Sequence, residues 1–128
     1  MPPHLLSAST KHNLCIISAD YRLAPQTRLP GILADLASLL AFVRSSAFER
    51  ATGGCADASK LVVSGGSAGG WLALLAGTGV GFAACGVEVP GKPLAICAIY
   101  PISDLEDPFW HTVQRRKSVS IRLRRAAD

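Results

Sequence analysis

The apolar positions of this chain fall into short unbroken runs, with one long segment of helical period between the first two. Residues 13–18 (NLCIIS) set a leucine and two isoleucines between polar neighbours and predict a short buried strand. In residues 30–44 the period changes. Ile32, Leu33, Leu36, Leu39, Leu40 and Val43 recur at helical spacing on one face, while Asp35 and Ser38 fall on the other. Residues 61–65 (LVVSG) predict a second buried strand. Residues 67–77 (SAGGWLALLAG) predict a helix that starts at the turn, offers Trp71, Leu72, Leu74 and Leu75 for packing, and is ended by Gly77, Gly79 and Gly81. Residues 93–100 (PLAICAIY) predict a third strand. Residues 2–11 predict a short helix begun near the prolines. ADYRLAP, the turn formers of 51–59 and PISDLEDPFW read as loops. The tail after Trp110 is polar and basic with no firm period.

The order is thus strand, helix, strand, helix, strand. Each strand is apolar throughout rather than alternating. That combination predicts an α/β fold of three mainly parallel strands, covered on both faces by helices. At 128 residues the chain holds one domain at most. A hydrophobic content of 49% against 17% charged residues points to a folded core rather than disorder.

The net charge of +4 is unevenly placed. From Arg115 onward six basic residues stand against one acid, a charge of +5. Residues 1–114 hold seven basic residues and eight acids, a charge of −1. The basicity therefore belongs to a tail, and no nucleic-acid partner is expected from it. A boundary near residue 112 separates a body, 1–112, from a basic tail, 113–128. The tail is a candidate contact for anionic surfaces.

Cys15, Cys55, Cys85 and Cys97 form no CxxC pair, so no metal site is expected. Cys15 and Cys97, inside apolar runs, read as small buried hydrophobes. Reduced thiols, and an N-terminus with no long apolar stretch, lead to the expectation of a cytoplasmic protein without a signal peptide. The uncharged stretch between Lys60 and Glu88 is broken by eight glycines and is not expected to span a membrane.

The candidate chemistry lies at Gly65-Gly66-Ser67-Ala68-Gly69, a Gly-x-Ser-x-Gly pattern between a predicted strand and a predicted helix. Such a turn must be sharp, so that the serine hydroxyl projects beyond the strand's C-terminal end. Small neighbours, Gly65, Gly66, Gly69 and Gly70, let strand and helix approach closely. The helix N-terminus supplies partial positive charge, and the Ala68 N–H is placed to donate to a developing oxyanion. The same turn without chemistry would be a glycine-rich connection, or a phosphate cradle. No Gly-x-x-x-x-Gly-Lys-Ser/Thr and no Gly-x-Gly-x-x-Gly occurs here, so no nucleotide or other cofactor is expected.

A second segment extends the pattern. Asp20-Tyr21-Arg22-Leu23-Ala24-Pro25 resembles the DYRLAP segment of the fold-3 α/β hydrolases, the hormone-sensitive-lipase-like esterases. Ser67-Ala68-Gly69-Gly70 is similar to the second half of that family's GDSAGG elbow, and AIYPISDLEDPFW to its segment after the next strand. The resemblance covers residues 3–112. Gly66 stands where the family has Asp, and Gln26 where it has Glu. The resemblance implies a truncated α/β-hydrolase fold and a serine carboxylic-ester hydrolase. Ser67 would attack a small ester, a histidine would take its proton, and an acid would orient that histidine. Asp20, Tyr21 and Arg22 would hold their loop together.

Residues 1–19 contain no His-Gly-Gly-Gly, the family's oxyanion motif, and the family's acid and histidine lie late, in the order Ser, Asp, His. Within this chain Asp104 and His111 follow Ser67 in that order and are the local candidates, each also readable as an ordinary loop residue. The family's intervening strand normally lies between the DYRLAP strand and the elbow strand. Residues 14–18 and 61–65 are therefore expected to pair directly or to leave a gap. The chain alone is expected to be inactive or very weak as an esterase. The alternative is a non-catalytic binding module that kept the fold and added a basic arm.

Overall fold

The computed structural model describes residues 3–89 and 91–112. The basic tail, with its expected anionic contacts, lies outside the described residues.

The helices are α1 (Pro3–His12), α2 (Leu29–Val43), α3 (Ser46–Ala51), α4 (Ala68–Thr78) and α5 (Pro108–His111). The strands are β1 (Val62–Gly66) and β2 (Ala95–Ile99). Short 3₁₀ turns occupy Ala58–Lys60 and Ala83–Cys85. α2 begins with Pro30 in its first turn, where a missing N–H costs nothing. It buries Leu33, Leu36, Ala37, Leu40 and Val43, the face its periodicity predicted. α4 buries Leu72, Ala73, Leu75 and Ala76. It stops at Gly79, whose φ of 78° is left-handed and whose N–H caps the Leu75 carbonyl at 2.7 Å. The core is the seam of α2 and α4, closed by Phe82 from the loop after α4. α3 was not foreseen. Its sequence signal is the Ser45 hydroxyl, which accepts the Phe48 N–H and caps the helix.

β1 and β2 pair in parallel, with Val62 opposite Ala95 and Gly66 opposite Ile99. The parallel direction agrees with the sequence reading, but the three-strand expectation does not hold. The sheet of the described residues has two strands. Residues 14–18 run without regular structure, and Leu14 and Ile17 are exposed. A strand exists only where a neighbour takes up its backbone groups, and this segment has none. Between it and β1 lies the expected gap, a groove of about 210 Å³ lined by Cys15, Ile17, Leu36, Leu40, Val62 and Ser64 among others.

Burial on both faces is also corrected. Both strands alternate between exposed and half-buried positions. α4 packs on one face, and Val62, Ser64, Cys97 and Ile99 stand on the other, open among the described residues. Cys15 and Cys97 are accordingly exposed, not buried, because one lies in the unpaired segment and the other on the open face. The ladder engages the Leu61 carbonyl and the Ser67 N–H on the β2 side. Alternation therefore turns the N–H and C=O groups of Val62, Ser64 and Gly66 toward the groove.

The DYRLAP loop is held by one ion pair. The Arg22 guanidinium spans the Asp35 carboxylate, with Nη2 to Oδ1 at 2.7 Å and Nε to Oδ2 at 2.9 Å. The Arg22 backbone N–H adds a bond to Oδ2 at 2.9 Å, and Nη2 reaches the Gly31 carbonyl at 3.0 Å. One arginine thus ties the loop to the first two turns of α2. Tyr21 packs half-buried against the core, and Asp20 lines the groove. The Ala24–Pro25 bond in the same loop is cis.

The side-chain hydrogen bonds from Arg22, then its backbone N–H, hold the Asp35 carboxyl at about 2 instead of 3.8. A depressed carboxyl stabilises the fold above its unfolded value and loses that contribution as pH falls through the folded one. A carboxyl-carbon NMR titration should therefore find the Asp35 midpoint near 2, returning toward 3.8 in Arg22→Ala. An unchanged midpoint in the variant would contradict the clamp.

Candidate active site

Ser67 is the single residue between β1 and α4. Its φ of 53° and ψ of −120° lie outside the regions L-residues favour, at a cost of order 1–3 kcal/mol. Three features hold it there. Its N–H donates to the Ile99 carbonyl at 3.0 Å, and its carbonyl accepts the Trp71 N–H at 3.0 Å. The third is the approach of α4 to β1. A Cβ on Gly65 would lie 2.3 Å from the Gly69 carbonyl oxygen and 2.9 Å from the Gly70 nitrogen. A Cβ on the buried Gly70 would meet the Gly65 and Ile99 carbonyl oxygens at 3.0 and 3.1 Å. Backbone touches backbone here, and no rotamer change relieves a clash of that kind.

The elbow glycines are thus unequal. Gly65 and Gly70 are demanded by space. Gly66 leaves room for Tyr100, whose hydroxyl would stand 2.8 Å from a Cβ there. Gly69 is different: a Cβ on it meets nothing within 4 Å, and its φ is not left-handed. The pattern's final glycine is not sterically required in this turn.

The Ser67 hydroxyl is exposed and does not cap α4. Ala68 opens the helix, so its N–H lacks an intrahelical acceptor and points to the same end. The turn therefore presents a hydroxyl beside a free N–H and a helix N-terminus.

The other candidates are engaged elsewhere. Asp104 Oδ1 accepts the Glu106 N–H at 2.9 Å. His111 Nε2 stands 2.9 Å from the Leu105 carbonyl, which accepts, so this nitrogen carries the proton. Asp107 caps α5 through the Phe109 N–H at 2.8 Å. Asp104 lies in the exposed loop after β2 and His111 ends the short helix α5, and neither is hydrogen-bonded to the other or to Ser67. Tyr100, whose ring lies against Gly66, is not among the sequence candidates, because residues 93–100 read as a strand that it ends. The available signal was its place just past a strand's C-terminal end, the edge where α/β folds build sites. Among the described residues no group of three His, Cys, Asp or Glu side chains could hold a metal ion, and no helix is long and apolar enough to cross a membrane.

The glycine contacts make an ordered prediction. Gly65→Ala should cost about 1–3 kcal/mol or more, because its methyl group strikes backbone. Gly69→Ala should raise stability by roughly 0.5–1 kcal/mol, as alanine replaces glycine inside a helix. Urea unfolding of the two variants checks this, and the opposite order would contradict the packing.

No curated protein and no solved structure matches the chain. The family model described as alpha/beta hydrolase fold matches residues 4–126, beyond the boundary read near residue 112. A match over nearly the whole length agrees with the elbow, the parallel pair and the helix behind it: the chain belongs to the alpha/beta hydrolase fold-3 family.

Proposed function

We propose that the site performs acyl transfer from a small carboxylic ester, with Ser67 as nucleophile. The observation that carries this reading is the strained Ser67 backbone, φ 53° and ψ −120°, between a parallel strand and a helix. The side chain that this conformation presents is exposed rather than packed into the core. What it achieves is to hold a hydroxyl over a helix N-terminus.

In this reading Ser67 Oγ attacks the ester carbonyl carbon, and the carbonyl electron pair moves onto oxygen. The Ala68 N–H and the α4 N-terminus stabilise that charge. The alcohol leaves, and water releases the acid from the acyl-serine. A base must take the serine proton. His111, oriented by Asp104, is the local candidate. To act, it must give up the Leu105 carbonyl and present an unprotonated nitrogen to Ser67. While His111 stays on the Leu105 carbonyl the proton passes to water, and the rate is low.

Hydrolysis of p-nitrophenyl acetate tests the reading. A weak rate above buffer is expected, and Ser67→Ala should lower it about tenfold or more. Equal rates for the chain and Ser67→Ala would remove Ser67 from the reaction.

A further inference from the structure

Tyr100 is a large side chain set against the elbow in a position that burial does not explain. Its φ of 38° lies in the left-handed region, which bulky residues rarely occupy. The residue is 76% exposed, so the conformation gains little burial. Its ring lies over Gly66, where a Cβ would come within 2.8 Å of the hydroxyl and 3.1 Å of Cζ. The preceding residue, Ile99, accepts the Ser67 N–H at 3.0 Å, which fixes the Tyr100 backbone relative to the serine. The hydroxyl has no hydrogen-bond partner among the described residues. A strained residue thus holds an unused donor beside the residue that precedes the candidate nucleophile.

We propose that the Tyr100 hydroxyl is a catalytic hydrogen-bond donor to the carbonyl oxygen of an ester attacked by Ser67. It would act as a second donor beside the Ala68 N–H, and the proposal rests on the acyl-transfer reading of Ser67. When Oγ bonds to the carbonyl carbon, the π pair moves to the oxygen, and the tyrosine hydrogen bond shortens onto that charge. Tyr100 keeps its proton throughout. The proton lost by Ser67 goes to the base or to water. Gly66 then has a physical role, since any side chain there would push the phenol away.

The test compares kcat and KM for p-nitrophenyl acetate in the chain and in Tyr100→Phe, Gly66→Ala and Ser67→Ala. Tyr100→Phe keeps the ring and removes only the donor. Its Ser67-dependent kcat should fall about tenfold with KM unchanged, less than for a fully enclosed oxyanion donor because this site is open to water. Gly66→Ala, which keeps the hydroxyl but displaces it, should lose a similar factor. A wild-type kcat in Tyr100→Phe overturns the proposal and leaves the serine reading standing. A fall in kcat matched by a lower unfolding midpoint in Tyr100→Phe assigns the residue to packing and also overturns it. Equal rates in the chain and Ser67→Ala overturn the serine reading, and the donor with it.

Discussion

The contact on which the rest depends is backbone against backbone, Gly65 on Gly69 and Gly70. The ideal Cβ of Gly65 falls 2.3 Å from a carbonyl oxygen, so strand and helix meet with no side chain between them. One residue is left to reverse the chain from β1 into α4, and it can do so only by adopting an unfavoured φ. Ser67 is that residue. Its strain is offset by the bonds on either side, to the Ile99 carbonyl and from the Trp71 N–H. A site that is costly locally is therefore sustained by the packing behind it.

The surrounding architecture supports this turn with few parts. α4 lies on one face of the parallel pair, and α2 packs on α4 through Leu33, Leu36 and Leu40. The Arg22–Asp35 clamp fastens the preceding loop to α2, so the loop borders the groove although it pairs with nothing. A two-stranded sheet with one open face and two edges unpaired among the described residues is marginal by itself. Here the pair is backed by α4 along its length, and the seam of α2 and α4 adds the buried apolar core.

Much of this was legible in residue order because it is local. The α2 face follows from period, the α4 stop from Gly79, and the elbow from small residues between a β-branched run and a helix. The losses were non-local. Residues 13–18 have strand composition, but a strand needs a partner, and what lies beside them is a groove. Apolar composition in β1 and β2 suggested two covered faces, yet coverage depends on how many helices reach the sheet. The site divided in the same way. Ser67 and Ala68 lie where sequence placed them, because chain neighbours fix them. Chain order nominated Asp104 and His111, but their hydrogen bonds close locally, within residues 104–111. The closeness of Tyr100 to Gly66 joins residues 34 apart in the chain, and it shows only once β1 and β2 lie side by side.

The most direct measurement is peptide mapping of the folded chain after prolonged exposure to a fluorophosphonate, with Ser67→Ala in parallel. Such a probe bonds only to a hydroxyl that is presented and assisted. The account predicts one slowly formed adduct, on the peptide carrying Ser67, and none in the variant. A folded chain that forms no adduct, or the same adduct with and without Ser67, would contradict it: the turn would then be a feature of the fold alone.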